Sequence, residues 1–386
     1  MARRPATREM VRVPFNRLYT TGSELGYIEE AIASSHLSGN GPFSHRCTAW
    51  LERHLRSERV LLTHSCTGAL EMAAVLARLQ PGDEVIMPSF TFSSTATAFV
   101  MRGAIPVFVD VREDTLNLDE GLVEGAASDR TRAIVPVHYG GVGCAMEELN
   151  SFAEAHGILV IEDAAHALGA SMNGRPLGSF GALATLSFHE TKNVICGEGG
   201  ALVVNDPELV ERAEIVHEKG TNRRAFFRGQ VDKYTWVDLG SSFPASELAA
   251  AFLWAQLEHA EWLIQRRLEV WEGYQAGFAD AEREGLLRRP VVPSGARHSA
   301  HLYYLLLPTE QRRDHLLAEL ARQKIDAFFH YVPLHSSPAG LRYGRAADGL
   351  LVTDDISRRL LRLPLWVGMS EEQVDAVVAA VSRILS

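Results

Sequence analysis

Residues 187–200 have the sequence Ser-Phe-His-Glu-Thr-Lys-Asn-Val-Ile-Cys-Gly-Glu-Gly-Gly, and they follow an apolar, strand-like run that begins at Ala184. A lysine between a strand and a glycine cluster can be buried, and burial or nearby positive charge lowers its pKa until the amine acts as a nucleophile near neutral pH. A single loop lysine is more often a solvated surface residue. The stretch therefore predicts a Schiff-base lysine at Lys192 if other parts of the chain support the same chemistry.

Length and composition restrict the class of protein. A chain of 386 residues favours one large domain with a smaller one, and 46% apolar with 22% charged residues is typical of a globular protein. The net charge of -10 argues against a nucleic-acid-binding protein. No apolar run has the length that a membrane-spanning helix needs, and the N-terminus lacks the apolar segment of a signal peptide.

The four cysteines are widely spaced and contain no Cys-x-x-Cys pair. This spacing suggests neither a metal site nor a disulfide framework, so we expect no metal and a reducing, cytoplasmic location. The cysteines are Cys47, Cys66, Cys144 and Cys196.

From Arg59 onward, short apolar runs alternate with helix-like segments, which predicts a parallel sheet covered by helices on both faces. The predicted strands are 60–62, 84–87, 106–109, 133–137, 158–161 and 201–204, and the predicted helices are 68–79, 92–102, 145–156 and 207–219.

Four regions are expected along the chain. These regions are an N-terminal arm (1–45) with a helix at 23–34, a large α/β domain (46–247), a long connecting helix (248–285) and a small α+β domain (286–386). The connecting helix is expected from a helical run over 246–281. The small domain is predicted to contain strands 302–307 and 326–329 and helices 309–323, 354–361 and 370–385. The irregular segment 220–238 is too long for a simple connection, which predicts a functional loop.

Polar residues follow the strand at 158–161. Asp163 is placed where ligands bind in parallel α/β sheets, and a carboxylate there could pair with a protonated ring nitrogen of a cofactor. Alone, an Asp after a strand is more often a helix N-cap. His166 could stack over a flat ring or be a core histidine.

Two further strand ends carry weaker signals. Ser65-Cys66-Thr67-Gly68 opens a predicted helix, where backbone N–H groups and hydroxyls could bind an anion, although capping by Thr67 is equally compatible. Phe92 follows the next strand and could stack on a planar cofactor or belong to the core. Neither a P-loop nor a dinucleotide-binding glycine pattern occurs at the first turn.

Together these signals form one set. A phosphorylated pyridine aldehyde requires a phosphate cradle, a stacking face, an acid at the ring nitrogen and a lysine for the aldehyde. The strand ends supply candidates for each of these.

The same stretches, in the same order, resemble the DegT/StrS-type sugar-nucleotide aminotransferases over nearly the whole chain. The resemblance implies fold type I of the enzymes that use pyridoxal 5'-phosphate (PLP), with a mixed, mostly parallel sheet between helices and a smaller C-terminal α+β domain. It also implies a homodimer with shared active sites. The stretches are 65–70, 88–92, 162–166, 187–192 and 197–200.

The resemblance also implies roles for individual residues. Lys192 would bind PLP covalently, Asp163 would pair with the pyridinium nitrogen and His166 would lie against the ring. Phe92 would stack on the cofactor, while Cys66, Thr67 and Ser187 would hold its phosphate. Sugar-nucleotide contacts are expected from two segments: Asn222, Arg223, Arg228 and Tyr234 in the loop, and His330, Tyr331 and His335 in the small domain.

One position departs from the pattern of many family members, which carry an Asn that reaches the partner subunit's phosphate and an Arg two residues later. Here Ser242 and Pro244 occupy these positions. Ser242 is therefore one candidate for the phosphate contact across the interface, and Asn222, Arg223 and Arg228 are the alternatives.

Within the family, the stretches 189–193, 219–236 and 240–242 resemble enzymes that aminate carbon 4 of dTDP-4-keto-6-deoxy-D-glucose. The expected partners are this nucleotide-diphosphate keto sugar and L-glutamate as amino donor, and the product is the galacto or gluco dTDP-4-amino-4,6-dideoxyhexose. Two alternatives are a PLP-dependent sugar dehydratase, in which a histidine replaces the lysine, and a regulatory protein that binds the same ligands without turnover.

Overall fold

The computed structural model describes residues 12–347 and 349–386. Residues 1–11 hold the basic N-terminal stretch and the start of the predicted arm, and they lie outside the described residues.

The described residues contain strands in three sheets. Most strands coincide with runs of apolar residues, and the two-residue strands pair at the periphery of the fold. The strands are β1 (Arg59–Thr63), β2 (Glu84–Pro88), β3 (Ile105–Val109), β4 (Thr131–Ile134), β5 (Leu159–Asp163), β6 (Ser171–Met172), β7 (Arg175–Pro176), β8 (Leu183–Ser187), β9 (Gly200–Val204), β10 (Ala296–Arg297), β11 (Tyr303–Leu306), β12 (Arg345–Ala346) and β13 (Leu360–Leu363).

Helices connect and cover these strands, and short 3-10 turns lie at Glu120–Leu122, Tyr139–Gly141 and Pro207–Leu209. The helices are α1 (Glu24–Ala33), α2 (Pro42–Leu55), α3 (Cys66–Leu76), α4 (Ser93–Val100), α5 (Val123–Ala126), α6 (Met146–His156), α7 (Val210–His217), α8 (Arg223–Phe227), α9 (Glu247–Glu258), α10 (Ala260–Gly277), α11 (Ala279–Arg283), α12 (Glu310–Arg322), α13 (Pro338–Tyr343), α14 (Leu351–Arg359) and α15 (Glu371–Leu385).

The central sheet has eight strands in the order β1-β9-β8-β5-β4-β2-β3-β12. Only β9 runs against the others, because it pairs antiparallel with both β1 and β8 while the remaining pairs are parallel. The carboxyl ends of β1, β2, β5 and β8 therefore meet at one edge of the sheet, which is where α/β proteins bind ligands.

Neighbouring residues of the central strands point to opposite faces, and each face has its own core. Leu61 and Leu202 pack with α3 and α7, whereas Leu62 and Val203 pack with α2 and α9. Helices thus cover both faces, so the predicted mixed, mostly parallel sheet between helices is confirmed.

A second core lies in the C-terminal part of the chain. Antiparallel β11 and β13 pack with α10, α12 and α15 around fully buried Tyr274, Tyr303 and Leu320. The smaller C-terminal α+β unit has the predicted character, while the domain boundaries at 45, 247 and 285 stay a prediction.

The predicted strand 201–204 is present as β9, and it runs antiparallel to both of its neighbours. Three other predicted elements were wrong. The single helix over 246–281 is three helices, because the backbone leaves helical geometry at His259 (φ -112, ψ 10) and bends again at Phe278 (φ -98, ψ 7).

The other two errors concern the small domain. The segment 326–329 is not a strand, since only an isolated bridge joins Phe328 to Arg362. The helix expected at 354–361 begins and ends earlier, and its last two residues belong to β13, where the apolar Leu360 and Leu361 pair with β11.

Glu247 joins the first turn of α9 to the N-terminus of α2. Its buried carboxylate accepts hydrogen bonds from the backbone N–H groups of Gly41 (3.0 Å), Phe43 (2.8 Å) and Ser44 (3.1 Å), and the Ser44 hydroxyl also donates to it. A carboxylate is favoured there because the N-terminal N–H groups of a helix have no partner within the helix.

We expect Glu247→Ala to lower the free energy of unfolding by about 3 kcal/mol, because it leaves buried N–H groups without an acceptor. Glu247→Gln retains one acceptor oxygen and should lose about half as much. Urea unfolding measures both. Glu258→Ala, an exposed residue at the end of the same helix, is the matched control and should cost less than about 1 kcal/mol. Equal losses in Glu247→Ala and the control would contradict this role.

Candidate active site

A cavity of about 750 Å³ opens at the carboxyl edge of the central sheet. Its walls come from both parts of the chain, since residues after β1, β2, β5 and β8 face residues of the small C-terminal unit. The residues that matter for the chemistry are Ser65, Cys66, Thr67, Phe92, Thr95, Asp163, His166, Ser187, Lys192, Arg267, His301, His330, Tyr331 and Arg362.

One end of the cavity is the N-terminus of α3. The Ser65 hydroxyl caps the helix by accepting from the backbone N–H of Gly68 (3.0 Å), and the Cys66 and Thr67 side chains line the cavity with Ser187. The Thr67 hydroxyl donates to Ser94 Oγ (2.9 Å). Burial raises the pKa of the Cys66 thiol to about 12, so this side chain is neutral at neutral pH. This end of the cavity suits a phosphate group, because the helix dipole and unpaired N–H groups attract anions.

Gly200 allows this end to form. A Cβ atom at Gly200 would lie 2.4 Å from the Cys66 nitrogen and 2.4 Å from the Ser65 carbonyl carbon. Both are backbone atoms, so any side chain at Gly200 would displace the start of α3.

Asp163, the last residue of β5, is buried and lines the cavity. Its Oδ2 accepts from Thr95 Oγ1 (2.8 Å) and its Oδ1 accepts from the Ala165 backbone N–H (3.2 Å). Glu162, its neighbour in the strand, binds the backbone N–H groups of Gly178 (2.8 Å) and Gly181 (2.7 Å) instead. Only Asp163 is therefore available to a ligand, in a fixed orientation.

His166 lies in the cavity wall as a neutral imidazole. Burial, with further lowering from the positive charge of Lys192, brings its pKa well below the ordinary value for histidine. Its Nδ1 accepts from the Gly140 N–H (3.3 Å), and its ring stacks on His301 with centroids 4.0 Å apart. The flat ring is thus held rigidly enough to pack against a planar ligand.

Lys192 is a partly buried lysine whose side chain lines the same cavity as Asp163 and His166. Burial is the largest influence on its amine and lowers the pKa from the usual value; the Asp163 carboxylate acts in the opposite direction, and Arg362 adds to the lowering. A larger fraction of the amine is consequently neutral, and nucleophilic, at a given pH than for an exposed lysine.

A hydrogen-bond network holds the segment that carries Lys192. Asn193 donates to the Ser299 carbonyl (2.7 Å), and its amide oxygen is 3.1 Å from His301 Nδ1. The Ser299 hydroxyl in turn donates to the His166 carbonyl (2.6 Å). Residues 299–301 therefore tie the lysine loop to His166.

The structure brings most, but not all, of the predicted site residues together. Phe92 lies on the rim of the cavity and is 61% exposed. The residues that do not line the cavity of their own chain are Asn222, Arg223, Arg228, Tyr234, Ser242 and His335. For these six, the predicted contacts with ligands stay predictions.

His335 forms part of a group that resembles a serine-hydrolase triad. Its Nδ1 is 2.7 Å from Ser89 Oγ and its Nε2 is 3.4 Å from Asp354 Oδ1. Ser89, however, is fully buried, and its Oγ also accepts the backbone N–H of His335 (3.0 Å). A substrate cannot reach this hydroxyl, so the group fastens the segment 330–335 to the end of β2.

Several residues of the site carry no recognisable signal in the sequence. The tertiary structure alone brings six such residues to the cavity or its walls: Thr95, Tyr139, Asn193, Arg267, His301 and Arg362. Arg267, for example, lies in a helix, and its guanidinium donates to the carbonyls of Ala300 (3.1 Å) and His301 (2.7 Å). Nothing in the spacing of such residues distinguishes them from core or surface positions.

The arrangement fits PLP. The α3 N-terminus suits its phosphate, Asp163 is a buried carboxylate that suits a ring nitrogen, His166 offers a flat face, and Lys192 is an amine of lowered pKa. Among the described residues, no group of three or more His, Cys, Asp or Glu side chains could hold a metal ion. The sheet, the small C-terminal unit and this site are those of a PLP-dependent enzyme of fold type I.

Comparisons with known proteins agree. Residues 19–382 match the DegT/DnrJ/EryC1/StrS aminotransferase family, and the chain belongs to that family. It is a PLP-dependent transaminase of the sugar aminotransferase type.

Individual relatives cover almost the whole chain. The spore coat polysaccharide biosynthesis protein SpsC of Bacillus subtilis is 32% identical over 97% of both chains. The crystal structure of S. venezuelae DesV, in complex with a ketimine intermediate, superposes with a TM-score of 0.88 at 32% identity over 97% of this chain and 99% of DesV. Helicobacter pylori PseC, an aminotransferase of pseudoaminic acid biosynthesis, has the same TM-score at 25% identity over 97% and 99%.

We expect Gly200→Ala to weaken PLP binding by about tenfold or more, because the displaced N-terminus of α3 loses hydrogen bonds to a charged phosphate. Absorbance titration of the apoprotein with PLP gives the dissociation constant. Gly26→Ala is the matched control, since a Cβ at Gly26 meets nothing within 4 Å. Unchanged affinity in Gly200→Ala would show that this end of the cavity does not hold the phosphate.

Proposed function

We propose that the protein transfers the amino group of L-glutamate to carbon 4 of dTDP-4-keto-6-deoxy-D-glucose. Glutamate becomes 2-oxoglutarate in the first half-reaction, and the carbonyl of the keto sugar becomes an amine in the second. The observation that supports the amino-group transfer is the presence of Lys192, Asp163 and His166 in one cavity. The choice of sugar and donor rests on the resemblance of the segments at 189–193, 219–236 and 240–242.

When bound, PLP supplies an aldehyde that exchanges amines and a pyridinium ring that accepts charge from the reacting carbon. Asp163 would keep the ring nitrogen protonated, since a buried carboxylate favours the charged form of a group that pairs with it. Its own position is fixed by Thr95 (2.8 Å), so little reorganisation is needed as charge develops.

Lys192 has two roles in this proposal. It would hold the cofactor between turnovers, and its free, neutral Nζ would remove the proton from the α-carbon of the donor. The lowered pKa of Lys192 suits the second role, because a general base works best when its pKa is close to the operating pH. A lysine here also argues against the sugar dehydratase alternative, in which histidine replaces it.

His330 and Tyr331 are our candidates for contacts with the hexose. Both line the cavity, and His330 Nδ1 is 3.0 Å from Tyr139 Oη. Tyr331 packs edge-on against Phe90, with ring centroids 5.5 Å apart. A polar wall on a rigid aromatic support can orient the sugar hydroxyls.

We further propose a homodimer in which the segment 220–238 reaches the cavity of the partner. This segment exposes aromatic side chains that an isolated chain would leave in water, including Phe227 (69%) and Trp236 (76%). Such a cluster marks an interaction surface. Its cations could meet the diphosphate of the sugar nucleotide.

The cations of this segment differ in availability. Arg228 already pairs with Glu214 (2.7 Å), whereas Arg223 is exposed and only lies over the Phe227 ring (5.2 Å). Arg223 is therefore the stronger candidate for the diphosphate, and Asn222 and Tyr234 are further candidates in the same segment. Ser242 is exposed near Glu218, and a contact with the partner's phosphate stays a prediction.

The four cysteines are free thiols, which suits the reducing cytoplasm in which we place the reaction. None of the helices within 12–347 and 349–386 has the length and apolar character to cross a membrane.

The proposal is tested by incubating the holoenzyme with L-glutamate and dTDP-4-keto-6-deoxy-D-glucose and identifying the products. We expect 2-oxoglutarate and dTDP-4-amino-4,6-dideoxyhexose in equal amounts. Proton NMR coupling constants at carbon 4 then distinguish the axial amine of the galacto isomer from the equatorial amine of the gluco isomer. UDP-linked 4-keto sugars serve as the matched comparison, and a preference for them of about tenfold or more in kcat/KM would overturn the dTDP assignment.

A further inference from the structure

A buried tyrosine contacts the cavity wall through one histidine. The Tyr139 side chain is 1% exposed, and its Oη lies 3.0 Å from Nδ1 of His330, which lines the cavity. Among the described residues, this is the one hydrogen bond of the Tyr139 hydroxyl. The Nε2 atom of His330 forms no hydrogen bond with the described residues and is not enclosed, so an entering ligand can reach it.

The contact with Tyr139 decides which ring nitrogen of His330 carries a proton. A neutral imidazole has one N–H donor and one acceptor nitrogen, whereas a phenol has a single O–H donor. If Nδ1 carried the proton, the Tyr139 O–H would be buried without an acceptor, which is costly. The stable arrangement therefore has Tyr139 donating to Nδ1, with the histidine proton on Nε2.

His330 is held in its neutral form. Burial is the largest influence on the ring and brings its pKa well below the ordinary value for histidine, and the positive charge of Arg362 adds to the lowering. In a charged ring both nitrogens would be donors, and Nδ1 could not accept from Tyr139. The group that His330 offers to a ligand is therefore a neutral N–H donor.

The fold fixes Tyr139 in this position. Its backbone N–H donates to Asn117 Oδ1 (2.9 Å), and the Asn117 amide donates to two carbonyls of residues 142–143 (3.0 and 2.9 Å). The Tyr139 ring also packs edge-on against the buried Phe90, with centroids 5.2 Å apart. The donor to His330 is thus in place before a ligand enters.

We propose that Tyr139 is a positioning residue, which sets His330 as a hydrogen-bond donor to an oxygen of the keto sugar. This inference rests on the proposed use of a keto sugar as amino acceptor. A hexose presents carbonyl and hydroxyl oxygens, and each of these can accept from an N–H group. A carboxylate of the amino donor is better matched by a cation, because charge-assisted hydrogen bonds are about twice as strong as neutral ones. The neutral donor of His330 therefore suits the uncharged oxygens of the hexose.

The protonated nitrogen of His330 is identified by ¹⁵N NMR of the holoenzyme with labelled histidine rings, because protonated and unprotonated ring nitrogens have well separated shifts. The spectrum of His330→Gln assigns the His330 signals by their loss. We expect a neutral wild-type ring with its proton on Nε2. Tyr139→Phe should give a mixture of both tautomers, since Nδ1 then has no fixed partner. A wild-type proton on Nδ1, a charged ring, or an unchanged tautomer in Tyr139→Phe would overturn the inference.

The two half-reactions of Tyr139→Phe show which ligand the donor serves. Each is followed by the change in cofactor absorption, with dTDP-4-keto-6-deoxy-D-glucose added to the amine form and L-glutamate added to the PLP form. Loss of the fixed donor should raise the half-saturating concentration of the keto sugar about three- to tenfold. The value for glutamate should change less than about twofold. Equal changes in both half-reactions would contradict the assignment to the sugar.

Further variants make the result specific. His330→Gln can place an amide N–H near the position of Nε2, so it should retain more affinity for the keto sugar than His330→Ala does. Tyr304→Phe is the matched control, because Tyr304 is a buried neighbour of Tyr139, with ring centroids 6.0 Å apart, that forms no hydrogen bond with His330. It should behave as the wild type in the NMR spectrum and in both half-reactions. A loss in Tyr304→Phe as large as that in Tyr139→Phe would show a packing effect and contradict the role of the hydrogen bond.

The two measurements also separate this inference from the proposed function. Retained cofactor absorption in each variant shows that the fold is intact. If the wild type converts no keto sugar, the proposed function fails together with the sugar contact, whereas the NMR comparison still decides whether Tyr139 sets the tautomer of His330.

Discussion

Burial of the Lys192 amine, in the same cavity as the Asp163 carboxylate, is the interaction on which the proposed chemistry depends. Burial disfavours the ammonium form, whereas the carboxylate favours it, and the balance keeps the pKa of Lys192 below that of an exposed lysine. Two hydrogen bonds direct the oxygens of Asp163 toward Thr95 and Ala165. The cavity can thus hold the neutral amine of Lys192 together with Asp163, a carboxylate that can pair with a ring nitrogen.

The surrounding structure serves to maintain that pair. The parallel strands bring their carboxyl ends to one edge, and the reversed β9 places Gly200 against the start of α3, where only a glycine fits. The network through Asn193, Ser299 and His301 then connects the lysine loop with His166. The small C-terminal unit thereby contributes to catalytic geometry as well as to the walls of the cavity.

Features that depend on neighbouring residues in the chain could be predicted from the sequence. The strand ends that carry Cys66, Asp163 and Lys192 were recognised because local apolar runs and turn residues mark them. The direction of β9 and the breaks at His259 and Phe278 were missed, since pairing and packing decide them. Arg362 and His301 were missed for a related reason: each is remote in sequence from the residue that it influences. The segment 220–238 was predicted as functional from its length and irregularity, but none of its residues lines the cavity of its own chain.

The most direct test of the account is the spectrum of the holoenzyme before and after addition of L-glutamate alone. The account predicts that the visible absorption of the lysine-bound cofactor disappears as the amine form is produced, with one 2-oxoglutarate released per active site. Lys192→Ala should lack the initial absorption and form no 2-oxoglutarate, while Lys324→Ala, remote from the cavity, should behave as the wild type. Transamination at the wild-type rate by Lys192→Ala would contradict the account.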